Sequence, residues 1–346
     1  MNKRKLTRRQ QWQINKLQTE QRTRSQKQEA VTDAKTKYSQ LAPEQQGLVI
    51  AHYGSQVDVE ALQIKSRGRI YRCKLRSNLG HLVTGDRVSW SPCADLTGVV
   101  IAREERHSVL SRPNKYGKLK PVAANIDQIV ITIAPQPYAH SNLIDRYLVA
   151  AEISSIEPLL LLNKTDLMNT EISCHIEPIL ELYQQLGYRI VCVSTKNRSG
   201  LKQLLDYLDQ RVSVFVGQSG VGKSSLINAI LPGIDLQVSE LSAQHQKGVH
   251  TTTTTRLFHI ADGGQVIDSP GIREFGLWHI EAHDLILGFR EMRDFSGHCR
   301  FGDCSHSHEP GCALQEAVTM GKINPQRMRN YHYIRDSLNE FNIHNE

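Results

Sequence analysis

Residues 212–230 read VSVFVGQSGVGKSSLINAI: an apolar run, a glycine-punctuated turn and then an amphipathic helical pattern. The turn, Gly217, Gln218, Ser219, Gly220, Val221, Gly222, Lys223, Ser224, Ser225, fits GxxxxGK[ST] in the strand-to-helix setting that a phosphate-binding loop requires. Glycines let the backbone curl until successive N–H groups point at phosphate oxygens, and the helix N-terminus adds positive potential. Lys223 is then placed to neutralise the outer phosphates, as a catalytic candidate, and Ser224 to ligate Mg2+.

Outward from this stretch, strand-like runs alternate with helical patterns. IDQIVITIA (126–134), EPLLLLN (157–163), YRIVCVS (188–194), RLFHI (256–260) and GQVIDS (264–269) read as strands. SNLIDRYLVAAEI (141–153), HIEPILELYQQLG (175–187) and SGLKQLLDYLDQ (199–210) read as helices between them. Continuous apolar strands separated by amphipathic helices predict an α/β domain, a parallel sheet covered on both faces, over residues 116–276.

The chain has 346 residues, enough for two or three domains at roughly 100–200 residues each. Residues 1–40 hold 11 Lys and Arg against 3 Asp and Glu, so the net charge of +7 sits in this arm. Residues 1–42 are expected to be a disordered basic arm, either a solvated tail or a segment that orders on a polyanion. Over residues 43–115, alternating runs split by turns predict about five strands, a small antiparallel β-barrel. Arg67, Arg69, Arg72, Lys74 and Arg76 alternate there as the groove of an oligonucleotide-binding (OB-like) barrel needs, or as one solvated basic strand of an ordinary barrel. A short link, Asn114–Pro121, leads into the α/β domain, and residues 277–346 read as helical around a Cys/His knot. No secretory signal and no membrane-spanning run is expected, and seven cysteines, an odd number, suit a reducing cytoplasm.

Three more segments carry nucleotide chemistry. Asn163, Lys164, Thr165, Asp166 (NKTD) end the strand 157–162, where open parallel sheets bind ligands. A carboxylate such as Asp166 accepts from two adjacent donors, which guanine presents and adenine does not, so GTP is expected over ATP. Asp268, Ser269, Pro270, Gly271 match DxxG, with Asp268 placed to hold Mg2+ through water and the Gly271 N–H to meet the γ-phosphate. Between them, Gly248–Thr255 carries five consecutive threonines after His250, and Thr252 is the expected Mg2+ ligand among them. Ser194, Thr195, Lys196 after the strand 188–193 would back the guanine.

The cysteines and histidine at Cys299, Cys304, His306 and Cys312 form a C-x4-C-x-H-x5-C cluster. Three thiolates and one imidazole make a closed tetrahedral site, hence structural Zn2+. Free thiols, or His298 or His308 as the imidazole, are the other readings of the spacing alone.

Ordinary GTPases run P-loop, Thr switch, DxxG, NKxD and [ST]xK, whereas here NKTD and STK precede the P-loop. The chain thus resembles the circularly permuted GTPases. With a basic arm and barrel ahead and a Cys/His knot behind, it closely resembles, over essentially its whole length, the RsgA family of small-subunit biogenesis GTPases. The resemblance implies GTP hydrolysis to GDP and phosphate stimulated by the 30S ribosomal subunit, a role in late maturation of that particle, contact with its rRNA, and His306 as the zinc-ligating imidazole. The protein is further expected to be a cytoplasmic monomer. A GTP-gated RNA-binding module with incidental turnover is the alternative, and NKTD opposes an ATP-driven nucleic-acid enzyme. Ile272, Arg273 and Glu274 follow DxxG where Ras-like enzymes place a water-orienting Gln. The free enzyme is therefore expected to be slow, of the order of 10^-4 to 10^-3 per second, with His250 the group that holds the water once its loop is ordered.

Overall fold

A computed structural model describes residues 42–76, 79–113, 118–231, 255–261, 263–268, 280 and 283–343. The basic arm lies outside the described residues.

Five strands form the barrel: β1 (Gln45–Tyr53), β2 (Gln56–Ala61), β3 (Ile70–Leu75), β4 (Arg87–Pro92) and β5 (Thr97–Arg103). Their pairing runs β1-β2-β3-β5-β4 and closes through β4 on β1. Val49, Val57, Val59, Cys73, Val88, Trp90 and Val100 alternate into its core. All pairs are antiparallel except β3 with β5, which run parallel. This qualifies the antiparallel expectation for a topological reason: strand directions cannot alternate all the way round a ring of five, so one neighbouring pair must be parallel.

β6 (Val109–Pro113) and β7 (Leu119–Ala124) pair antiparallel as a separate ribbon. The stretch read as a link, Asn114–Pro121, therefore ends inside a strand. Lys118, Lys120 and Pro121 break the apolar alternation there, and a two-stranded ribbon tolerates a proline because its outer edge needs no ladder donor.

The α/β layer follows as β8 (Gln128–Ile133), α1 (Ser141–Ile153), β9 (Glu157–Leu162), α2 (Thr170–Gln185), β10 (Arg189–Cys192), α3 (Leu201–Leu208), β11 (Val212–Val216), α4 (Lys223–Ile230), β12 (Arg256–His259) and β13 (Gln265–Asp268). The sheet order is β10-β9-β8-β11-β13-β12, parallel except for β12. One face packs Ile129, Ile131 and Ile133 on Ile144 and Leu148 of α1. The other packs Val130 and Phe215 on Leu204 and Leu208 of α3 and Leu226 and Ile227 of α4. β12 also bridges β1 at Ala51 and Arg256, so barrel and parallel sheet form one continuous surface.

The C-terminal part holds 3-10 turns at Leu285–Gly288 and Arg290–Phe295, then α5 (Ala313–Thr319) and α6 (Pro325–Ile343). Its Leu285, Phe289, Leu314, Met328 and Ile334 share one apolar cluster with Tyr147, Leu148 and Tyr183 of the α/β layer. At the centre of that contact Arg327 of α6 is fully buried. Its guanidinium donates from Nε and Nη2 to Glu291, 2.6 and 3.1 Å away, and from Nη1 to Asp145 of α1. Asp145 also accepts from Tyr183 of α2 and from Asn330, each at 2.5 Å. Burial pushes the Asp145 carboxyl upward against the pull of these donors. Among the described residues no helix is long and apolar enough to cross a membrane.

Removing one member of such a cluster strands the others in low dielectric. Arg327→Leu should lower the unfolding free energy by about 3–5 kcal/mol in denaturant melts. Asp145→Leu combined with it should cost less than the two single changes added together.

Candidate functional site

Parallel strands deliver their carboxyl ends to one edge of the sheet, and the sequence motifs follow those ends. Gly217–Gly222 leaves β11, and α4 begins at Lys223 with Gly222 as its N-cap at φ 92°. A side chain at Gly222 would meet Asn163 Nδ2 at 2.4 Å, and one at Gly217 would meet Thr132 O at 2.2 Å, so both positions exclude a Cβ. Gln218, Ser219 and Gly220 are exposed, and Ser224 and Ser225 are half-buried in the first turn of α4. Lys223, 8 % exposed, curls back to donate to the Gly217 and Gln218 carbonyls at 2.6 and 2.7 Å. The long, mobile-headed cation is thereby parked over the loop that is meant to hold phosphate.

The NKTD segment is bolted onto this loop. Asn163, fully buried, donates from Nδ2 to Val221 O at 2.9 Å. Lys164, at φ 59°, donates from Nζ to Gly220 O at 2.6 Å and to Gln136 O at 3.0 Å. Thr165 and Asp166 open a 3-10 turn, and Thr165 N donates to Val193 O at 3.2 Å. Ser194, buried after β10, donates from Oγ to Asp166 Oδ1 at 2.5 Å. That hydroxyl holds the Asp166 carboxyl below its usual range, so it stays an ionised acceptor. Thr195 is half-buried and Lys196 exposed, the latter adding to the pull on Asp166. The structure thus brings the P-loop, NKTD and STK together across 60 residues of chain. Gln136 was not singled out from sequence; the prolines flanking it after β8 were the available sign of a fixed turn.

Asp268 ends β13 on the same edge, paired in register with Arg256 of β12. His250, Thr252 and Gly271, with Ser269, Pro270 and the rest of Thr251–Thr254, lie outside the described residues.

On the barrel, Arg72 and Lys74 are exposed on β3 while Cys73 between them is buried, the alternation expected of a strand with one wet face, and Arg67 and Arg69 are exposed in the turn that precedes this strand rather than on it. Arg76 is half-buried. Arg72 is held by Asp58 at 2.5 Å and lies over the Tyr53 ring at 4.3 Å, leaving a basic and aromatic surface.

Cys299, Cys304, His306 and Cys312 offer ligand atoms that all lie within 4.8 Å of one another. His306 Nδ1 sits 3.4 Å from Cys299 Sγ and 3.5 Å from Cys312 Sγ, and the two sulfurs are 4.0 Å apart. Metal–sulfur and metal–nitrogen bonds of about 2.3 and 2.0 Å at a tetrahedral angle need nitrogen–sulfur edges of roughly 3.5 Å and sulfur–sulfur edges of roughly 3.8 Å, so the donor set fits a metal ion. It is His306, not His298 or His308, that joins the cluster. The loop between the ligands is braced by groups the sequence left unmarked. Glu309 accepts from the backbone N–H of Ser305, Ser307 and His308, and with the Ser305 hydroxyl this holds its carboxyl down at about 2. Gln315 donates to His306 O at 2.7 Å, and Arg335 donates to Ser305 O.

A family model described as RsgA GTPase matches residues 103–278. The small ribosomal subunit biogenesis GTPase RsgA of Azotobacter vinelandii is 55 % identical over 340 residues, 98 % of this chain and 99 % of that one. The protein of the same name from Hahella chejuensis is 51 % identical over 346 residues, 100 % and 99 % of the two chains. Among solved structures, YjeQ from Thermotoga maritima superposes with a TM-score of 0.72 at 33 % identity, covering 86 % of this chain and 99 % of that one. YloQ, a circularly permuted GTPase, gives 0.70 at 26 % identity over 87 % and 97 %. With the motif order, the closed five-stranded barrel and the Cys3His cluster, these likenesses establish that the chain belongs to the RsgA GTPase family and is a GTP hydrolase.

Proposed function

We propose that this GTPase hydrolyses GTP to GDP and phosphate in the late maturation of the small (30S) ribosomal subunit, and that contact with the particle and its rRNA accelerates the reaction. The observation that carries the nucleotide assignment is the Lys164 clamp: one ammonium ties the base-reading loop to Gly220 of the P-loop, so base and phosphate sites form one body. The relatives named above carry small-subunit biogenesis in their names, and the exposed basic strand of the barrel is the surface through which this chain would meet RNA. We assign residues 43–115 to the barrel together with the first strand of the adjoining ribbon, 116–276 to the GTPase unit and 277–346 to the helical metal-binding part.

Catalysis by this site is positioning and charge neutralisation rather than covalent chemistry. Asp166 accepts the guanine ring N–H and amine; the P-loop N–H groups from Gln218 to Ser225 hold the phosphates; Lys223 swings from the loop carbonyls onto the outer phosphates. Ser224 and Thr252 would ligate Mg2+ directly and Asp268 through water; bound there, the ion neutralises charge on the β- and γ-phosphates. His250 orients the attacking water. The Cys3His cluster holds one Zn2+, which staples the loop 299–312 and takes no part in the chemistry. The protein works as a monomer in the cytoplasm.

Single-turnover rates with and without purified 30S and 50S subunits test the reading: a rise with 30S is expected, and a rate indifferent to every particle would favour a GTP-gated RNA-binding module. His250→Ala should bind GTP as the parent does yet lose most of the 30S-stimulated rate; full stimulation would place the water-holding group elsewhere. Asp166→Asn should weaken GTP binding by orders of magnitude, toward the roughly 10^4-fold worth of a matched polar site, and shift preference to xanthosine triphosphate, whose second carbonyl suits the amide N–H. Competition among GTP, XTP and ATP reads this directly, and an unchanged GTP preference refutes the base assignment. Elemental analysis should find one zinc per chain, with Cys304→Ala losing it and melting earlier while GTP affinity stays within a factor of a few.

A further inference from the structure

Glu60 is a carboxylate on barrel strand β2, only 8 % exposed. Its partner lies outside the barrel: Oε2 is 2.6 Å from His259 Nε2, at the end of β12 and reached across the intervening strand β1. A buried carboxylate is costly unless paired, and an apolar side chain would cover the flank of β1 at no such cost. The pairing also raises the basicity of His259.

What the contact holds is short and close to the phosphates. β12 and β13 are four residues each; β13 is held by β11 as far as Ile267, and Asp268 lies one residue past that ladder, opposite Arg256 of β12. Arg256 pairs with Ala51 of β1 on one side and with Asp268 of β13 on the other, so a barrel strand, the ribbon and Asp268 lie in one row. One more barrel contact bears on the same ribbon: Thr84 Oγ1 donates to Thr255 O at 3.1 Å. The barrel thus braces β12 at its start and at its end.

We propose that Glu60 is a positioning residue of the nucleotide site, holding through His259 the β12–β13 ribbon and with it Asp268, so that a residue of the barrel sets the Mg2+ side of the GTPase centre. This rests on the reading of Asp268 as a water-mediated Mg2+ contact. Groups hydrogen-bonded to a metal ligand are worth about 10- to 100-fold in metal affinity when removed, and Glu60, which acts through His259 and the strand rather than on Asp268 directly, is expected at the low end of that range.

The test uses the full-length protein and GTP hydrolysis at graded Mg2+. Glu60→Ala should raise the Mg2+ concentration for half-maximal rate about 10-fold and leave Mg2+-free GDP binding unchanged, since the base loop and the P-loop are untouched. Glu60→Gln, which keeps an oxygen for the imidazole N–H, should restore most of the parent Mg2+ dependence. His259→Ala should match Glu60→Ala, and the double variant should be no worse than either. Asp268→Asn serves as the control. If Asp268→Asn raises the Mg2+ requirement and neither Glu60→Ala nor His259→Ala does, the positioning role is overturned and the Asp268 reading stands. If Asp268→Asn changes nothing, both fall. A loss of Mg2+-free GDP binding as large as the loss of rate would mark the contact as general scaffolding and overturn the proposal as well.

Discussion

Parallel strands place their carboxyl ends on one edge, and the nucleotide motifs among the described residues occupy that edge. β9 ends in NKTD, β10 in STK, β11 in the P-loop and β13 in Asp268. The order in which the chain visits these strands is free so long as each strand keeps its neighbours, which is why a permuted sequence yields the same site. Lys164 and Asn163 show the constraint in contact form: their donors find Gly220 O and Val221 O because β9 and β11 flank β8 in register, not because the motifs are close in sequence.

The second organising interaction is polar and buried. Arg327 of α6 joins Glu291 and the Phe289 ring of the C-terminal part to Asp145 of α1 in the α/β layer. Apolar contacts around it supply the bulk of the stabilisation at roughly 25 cal/mol per Å2, and they are indifferent to the exact angle of α6. A planar five-donor cation with two carboxylate partners is not. The helical tail is thereby set on α1 and α2 in one orientation, carrying the metal-binding loop with it.

The P-loop, NKTD and the six strands of the α/β sheet could be read from the sequence because each is a local pattern: glycines at fixed offsets, or apolar runs bounded by turns. The cysteine spacing likewise announced a metal site, and its geometry picks His306 over His298 and His308. What escaped depends on partners far along the chain. Leu119–Pro121 reads as the end of a linker because Lys120 and Pro121 interrupt the alternation, and only pairing with β6 makes it the start of a strand. Gln136 contributes a backbone carbonyl, which leaves no trace in side-chain identity. Glu309, Gln315 and Arg335 read as ordinary surface residues until the loop 299–312 folds against them. Glu60 sits in a β-strand with unremarkable alternation, and nothing in QVDVEA foretells a histidine 199 residues away.

The seam between Ala51 and Arg256 also bears on how the protein is made. Most of the barrel strands and β8 to β10 pair with a strand made just before or after them, and β4 and β11 reach back past only two strands, to β1 and β8. β12 reaches back farthest: it must dock beside β1, one of the first strands made, after some 200 further residues have been added. Until then β1 presents part of an open strand edge, the kind of surface that recruits other chains. A nascent or truncated chain ending before residue 255 would hold a formed P-loop and a formed barrel while still lacking the strand that covers this edge. The joining of the barrel to the GTPase sheet thus waits on a segment made after every other strand but β13.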